Sequence, residues 1–185
     1  MSTVRVHLVR HGRASAGWNV DPDPGLDRIG VAQAAEVGER LRLLAPCSVV
    51  TSPLRRCRET AQPLLGAWAC DARVEPRVAE IPSPEGVAME DRVDWLRSAM
   101  QGTWTDLGLR YTAYRDSVVS AVKELEADAV VFSHFIAINV LIGAALGDDR
   151  LVIRSLDNCS VTVVDIVDGV VTLVEGGHEA DTLIR

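Results

Sequence analysis

The chain has 185 residues, the length of a single domain, and can bury a core of its own. Its 48% hydrophobic and 24% charged residues are the mix of an ordinary globular protein and exclude a disordered or fibrous one. A formal charge of −7 disfavours a general binder of nucleic acid or of an anionic membrane, so any phosphate must be bound locally.

Val4 to Val9 is a short β-branched run that reads as a strand. Gly30 to Leu44 has helical spacing, with Val31, Ala34, Ala35, Gly38 and Leu41 on an apolar face and Gln33, Glu36 and Arg40 turned away. The acids before it, Asp21, Asp23 and Asp27, alternate with Pro22, Pro24 and Gly25 and read as a turn cluster rather than a cation site. Ser48 to Thr51 is a second strand. Ser52 then suits a helix N-cap and Pro53 a first helical position, and Pro63 is expected to kink the helix that follows. A further strand is expected over Arg73 to Val78, a loop over Ile81 to Gly86, and helices over Glu90 to Met100 and Tyr111 to Glu126.

Ala129 to Leu146 carries no Asp, Glu, Lys or Arg and could pass for a membrane span. Ser133, His134 and Asn139 interrupt it, however, and a β-rich start before a helical half predicts a buried strand running into a buried helix. Ser160 to Val167 and Val170 to Glu175, joined by Asp168-Gly169, form a hairpin. The alternation of strand and helix predicts an α/β protein: a three-layer αβα sandwich with a mostly parallel central sheet and an antiparallel strand at the C-terminal end, one domain over residues 1–185. Cys47, Cys57, Cys70 and Cys159 form no C-x-x-C pair, and the residues up to Val6 are too few for a secretory leader. The cysteines are expected to be reduced and buried, and the protein cytoplasmic.

Chemistry gathers where apolar strands end. Val4 to Val9 runs into Arg10-His11-Gly12, Val49-Val50 into Thr51-Ser52-Pro53 with Arg55 and Arg56 in the next turn, and Val130 to Phe132 into Ser133-His134. In a parallel sheet these strand ends share one edge, where ligands of open α/β sheets bind, so Arg10, His11, Arg56 and His134 can meet. The helix start at Ser52-Pro53 adds free N–H groups that favour an anion. Two guanidiniums and two imidazoles around one point suit a small, highly charged anion, with phosphate as the obvious candidate. His7 and His178 lack such surroundings and read as structural.

Leu8-Val9-Arg10-His11-Gly12 resembles the R-H-G signature of the histidine phosphatase superfamily, also called phosphoglycerate mutase-like. Leu26 to Ala34 is similar to the family's L-[ST]-x-x-G-x-x-Q-A helix entry, Ser52 to Ala61 to its S-x-L-x-R-A-x-x-T-A segment, and Val130 to His134 to the strand that delivers its second histidine. The resemblance implies a phosphatase in which neutral His11 forms a phosphohistidine while Arg10, Arg56 and His134 hold the phosphoryl oxygens. It assigns the arginine to Arg56 and leaves Arg55 on the surface. It makes Glu80 the acid that protonates the leaving oxygen, which calls for a raised pKa. Ser15 is expected to add a hydroxyl to the phosphate pocket, and residues 81–108 to form a short insert near the active site.

Arg13 and Gly17 stand where the mutase branch carries an acid and an asparagine, which favours the small phosphatases; Phe135 stands where a glycine is common. The alternatives are a phosphoglycerate mutase-like transferase and a non-catalytic phosphate-binding or interaction module. The usual nucleotide, dinucleotide, serine-hydrolase and zinc-protease patterns are missing, and two histidines without a third nearby ligand make a poor zinc site. No metal and no organic cofactor is expected, and the partner is a small phosphorylated substrate.

Overall fold

A computed structural model describes residues 3–180. Twelve regular segments follow one another: β1 (Thr3–Arg10), α1 (Arg28–Leu41), β2 (Ser48–Thr51), α2 (Arg55–Trp68), β3 (Arg73–Val74), α3 (Arg92–Ala99), α4 (Trp104–Leu107), α5 (Leu109–Lys123), β4 (Ala129–Ser133), α6 (Phe135–Leu146), β5 (Val161–Val167) and β6 (Val170–Glu175). The strands form one sheet in the order β3-β2-β4-β1-β5-β6. β3, β2, β4 and β1 pair in parallel, whereas β5 runs against both β1 and β6. This is the expected mostly parallel α/β sheet with its antiparallel element at the C-terminal end.

The period of two along each strand sorts side chains to opposite faces. Val9, Val49, Val130 and Phe132 pack with Val37, Leu41, Cys57, Ala61 and Leu64 from α1 and α2. Leu8, Val50 and Val131 join Val118 and Val122 from α5 and Ile138, Leu141 and Ile142 from α6 on the other side. Each face of the sheet is therefore covered by helices, and the apolar run through α6 is core: no helix among the described residues is long and apolar enough to cross a membrane.

Several boundaries differ from the sequence reading. α1 starts at Arg28 because the Asp27 side chain accepts the Gly30 N–H at 2.8 Å, and it ends at Leu41 instead of Leu44. Its buried stripe is Gly30, Ala34, Val37, Gly38 and Leu41, leaving Val31 and Ala35, one residue step off that stripe, exposed. β3 stops at Val74, since Pro76 has no N–H for a ladder and a 3-10 turn, Pro76–Val78, replaces the strand. The predicted helix from Glu90 splits into a 3-10 turn, Met89–Asp91, and α3; α4 had no sequence signal. The helix after β2 begins at Arg55, not Pro53, with Leu54 as its N-cap, and runs through Pro63 to Trp68. Of the cysteines, Cys57 and Cys159 are buried, but Cys47 is half-buried and Cys70 exposed, so burial fails for two of four; all are free.

Two glycines allow the loop after β1 to touch α1. A Cβ on Gly12 would sit 2.7 Å from the Gly30 carbonyl oxygen, and one on Gly30 would sit 2.1 Å from that of Arg13. Backbone cannot yield as a flexible side chain can. Gly30→Ala is therefore expected to destabilise the fold by about 1–3 kcal/mol, measurable as a lower urea midpoint at unchanged slope; an unchanged midpoint would refute this account of the contact.

Candidate active site

The chain leaves three parallel strands at adjacent points and continues their hydrogen bonding for one residue more. His11 N–H donates to the Ser133 carbonyl (3.0 Å) and Ser52 N–H to that of Phe132 (2.9 Å). Beyond β1, the Asn158 side-chain amide donates to the His11 carbonyl at 3.0 Å. These bonds fix the backbones of His11, Ser52 and His134 on one edge. α2 then supplies Arg56 from its first turn, while Arg55, one residue earlier, points outward to pair with Glu59. Cys57 N–H turns back to Leu54, and Arg55 N–H donates to Asp23 at 2.7 Å. What α2 contributes is thus the Arg56 side chain, not the free N–H at Arg55 that an anion would need.

Glu80 arrives by a different route. After the 3-10 turn, the Val78 carbonyl accepts from the Ser133 hydroxyl (2.7 Å) and the Ala79 carbonyl from the Tyr114 hydroxyl (2.9 Å). Glu75 anchors the turn itself by binding the Arg77 N–H and guanidinium. Glu80 is thereby placed with Oε2 3.4 Å from His134 Nδ1 and 3.6 Å from Arg56 Nη2.

Arg56 lies at the centre of the cluster. Its Nε donates to His11 Nε2 at 3.2 Å, and its Nη2 lies 3.2 Å from His134 Nδ1. The opposite nitrogen of each imidazole is engaged outward: His11 Nδ1–H donates to the Gly12 carbonyl at 2.8 Å, and His134 Nε2 is 2.8 Å from the Ser52 hydroxyl. The bond to Gly12 sets the His11 tautomer, so its lone pair is on Nε2, facing the pocket. Arg10 binds the Leu156 carbonyl through Nη1, and its guanidinium lies 5.1 Å from the centre of the Phe135 ring. The residue that replaces a common glycine therefore stacks on a cation.

Burial, reinforced by Arg56, His134 and Arg10, holds the His11 imidazole well below its ordinary range, so it is neutral at physiological pH. Burial also lowers His134, against the pull of Glu80, and lowers Arg10 to about 10, which leaves that guanidinium charged. For Glu80 the structure reverses the expectation of a raised pKa. Burial would push its carboxyl up, but His134 and Arg56 outweigh it and hold the group down to about 2. The neighbouring Cys57 thiol, 3.4 Å from His134 Nε2, is pushed up by burial and stays protonated.

Arg10, His11, Arg56, Glu80 and His134 thus come together. Ser15 does not join them: it is exposed, its N–H donates to the Gly25 carbonyl, and among the described residues its hydroxyl makes no hydrogen bond to the cluster. Ser52, read as a helix cap, accepts the Leu54 N–H at 3.3 Å and also holds His134. Tyr114 and Asn158 gave no signal in sequence, because each acts on a backbone carbonyl distant along the chain. The third metal-type ligand also went unseen: His11, Glu80 and His134 offer ligand atoms all within 4.8 Å of one another.

The fold is that of an α/β protein, with two buried imidazoles, two guanidiniums and a carboxylate gathered at the strand ends of a helix-covered, mostly parallel sheet. Residues 6–177 match the family model of the histidine phosphatase superfamily (branch 1), and the chain belongs to that family. The probable phosphoglycerate mutase GpmB of Citrobacter koseri is 31% identical to it over 189 residues, covering 88% of this chain and 85% of the relative. Among solved structures, Bacillus stearothermophilus YhfR superposes with a TM-score of 0.77 at 20% identity, covering 96% of this chain and 98% of its own. A putative alpha-ribazole-5'-P phosphatase from Escherichia coli gives a TM-score of 0.74 at 18% identity, covering 97% and 98%.

Proposed function

We propose that the protein is a metal-independent phosphatase that hydrolyses phosphomonoesters, or phosphohistidine, through a phosphohistidine on His11. The observation that carries this reading is the neutral His11 whose Nε2 faces the pocket beside Arg56, with Glu80 on the far side of the same guanidinium. In the first step the Nε2 lone pair attacks phosphorus, the bond from phosphorus to the leaving oxygen breaks, and protonated Glu80 gives that oxygen its proton. In the second, water attacks the phosphohistidine and passes a proton to the Glu80 carboxylate, and inorganic phosphate leaves. Arg10, Arg56 and His134 hold the equatorial oxygens, where the transition-state charge spreads.

Glu80 begins as an anion, so it must take up a proton from solvent as the substrate binds. At an effective dielectric of about 20, each unit of negative charge about 4 Å away shifts the equilibrium by ~4 kcal/mol, or ~3 pKa units. A phosphate dianion that also draws Arg56 toward itself is enough to bring a carboxyl at about 2 into the neutral range. In this reading the chain is one cytoplasmic domain, with 81–108 as an insert beside the site.

The test is hydrolysis of an aryl phosphate in the presence of a chelator, with acid-labile phosphoenzyme trapped by rapid quenching. Turnover with a trapped intermediate supports the reading. A folded protein that binds phosphate with neither turnover nor phosphoenzyme on aryl, sugar and amino-acid phosphates supports a non-catalytic binding module instead. The names of the GpmB relatives favour a second reading, a phosphoglycerate mutase-like transferase, against which Arg13 and Gly17 speak. Label that moves between phosphoglycerate positions faster than inorganic phosphate appears would establish the transferase.

Selectivity is assigned to Trp18, in the segment after His11, and Trp95, in the segment after Glu80. Their rings are 6.5 Å apart, and Trp95 continues onto Tyr111 at 5.4 Å. Truncating either ring to alanine is expected to change the ratio of kcat/KM between aryl and sugar phosphates by about tenfold. Equal losses on every substrate would remove the two tryptophans from specificity.

A further inference from the structure

Cys47 and Cys70 lie at the end of the sheet opposite the candidate active site. Cys47 immediately precedes β2, and Cys70 follows Ala69, which ends α2 in a left-handed turn. β2 and β3 are parallel, with Val50 level with Arg73 and Thr51 with Val74. Carried back along both segments, the same register sets Ser48 beside Asp71 and Cys47 beside Cys70. The alternation of side chains agrees with it. Ser48, Val50, Asp71 and Arg73 line one cavity together with Ala121 of α5. Cys47 and Ala72 pack on the other face, with Leu65 and Trp68 of α2. Cys70, two residues before Ala72, falls on that face as well, and its N–H donates to the Leu65 carbonyl at 3.2 Å. Burial, Asp128 and Cys70 push the Cys47 thiol up, so the two sulfurs are near enough to act on each other. Level residues on neighbouring strands are ~4.8 Å apart, inside the Cα separation of ~4.4–6.8 Å that a disulfide spans.

We propose that Cys47 and Cys70 are a thiol pair that a small disulfide oxidant converts into an intramolecular disulfide. Cys70 is exposed and Cys47 half-buried, which sets the order of events. The Cys70 thiolate attacks the S–S bond of the oxidant, one small thiol leaves, and a mixed disulfide remains on Cys70. Cys47 then gives its proton to solvent and attacks the Cys70 sulfur, expelling the second small thiol. Two protein thiols are oxidised to one disulfide, and the oxidant is reduced to two thiols. Cys57 and Cys159 are buried and stay as thiols. The new bond ties the start of β2 to the end of α2, closing residues 47–70 into a loop that carries Ser52 and Arg56 at its far end. It constrains the frame of the pocket without touching it, and it does not depend on the phosphatase reading.

The test is incubation of the folded wild type with oxidised glutathione, beside Cys47→Ser and Cys70→Ser. In the wild type, the thiols titrated after denaturation are expected to fall from four to two, and a non-reducing digest is expected to yield one pair of peptides joined through Cys47 and Cys70. Cys47→Ser is expected to keep glutathione on Cys70, because the thiol that would expel it is gone. The oxidised wild type is expected to melt about 5–10 °C above the reduced protein, a gain that dithiothreitol reverses and that neither variant shows. Glutathione retained on Cys70 in the wild type overturns the proposal, as does a dimer linked through Cys70, since either result means that Cys47 is out of reach. A Cys47–Cys70 bond that lowers Tm overturns it too, because such a bond does not fit the native register.

Discussion

His11→Ala is expected to lower chelator-resistant hydrolysis of an aryl phosphate by on the order of 10⁴-fold or more and to eliminate the trapped phosphoenzyme. Removal of the nucleophile takes away the bond that divides the displacement into two steps, and no neighbouring group is set to replace it. His134 Nδ1 faces Glu80 and Arg56, while its Nε2 is occupied by Ser52. The Cys57 thiol is buried and held in its protonated form. The variant should still fold, because the His11 ring contributes a single hydrogen bond to the local backbone, Nδ1 to Gly12. Phosphate affinity is therefore the internal control: Arg10 and Arg56 remain, so binding of inorganic phosphate should fall far less than turnover. Activity within tenfold of the wild type, with phosphoenzyme still present, would place the nucleophile elsewhere.

The meeting of Arg10, His11, Arg56 and His134 was legible in sequence because each follows an apolar run, and parallel strands end on one edge. The hairpin around Asp168-Gly169 was legible because Asp168 and Gly169 both take positive φ, 50° and 76°. What escaped was set by contacts between distant segments. Ser52 resembles a cap in any local window, and only the position of His134, 82 residues later, turns its hydroxyl into a partner for that ring. The direction of the Glu80 shift was likewise hidden. A buried carboxyl reads as raised until Arg56 and His134 are placed within 4 Å of it. Ser15 was the opposite case: it is near His11 in sequence, yet its N–H binds the Gly25 carbonyl and, among the described residues, its hydroxyl makes no hydrogen bond to the cluster.

Glu80→Gln is expected to slow hydrolysis of alkyl phosphates by about 10²–10⁴-fold while affecting an aryl phosphate with an acidic leaving group much less. The contrast isolates proton donation: a nitrophenolate departs without help, whereas an alkoxide does not. Glutamine retains the shape of the carboxyl and a donor toward the leaving oxygen but cannot transfer a proton. It also removes the anion beside Arg56 and His134, so phosphate should bind at least as well as before. The pH dependence carries a definite sign. In the free protein Glu80 is ionised above about 2, and the His11 imidazole, lowered well below 6.5, is neutral across the physiological range. Once the dianion is bound, the acid form of Glu80 is needed, so kcat in the wild type should fall as pH rises through the elevated pKa of the complex. Protonation of His11 should cut activity on the acid side, and the two limbs make a bell. Glu80→Gln should lose the alkaline limb and keep the acid one. If the alkaline limb persists in the variant, or if alkyl and aryl substrates slow equally, the proton comes from another group and Glu80 serves only to hold Arg56 and His134 in place.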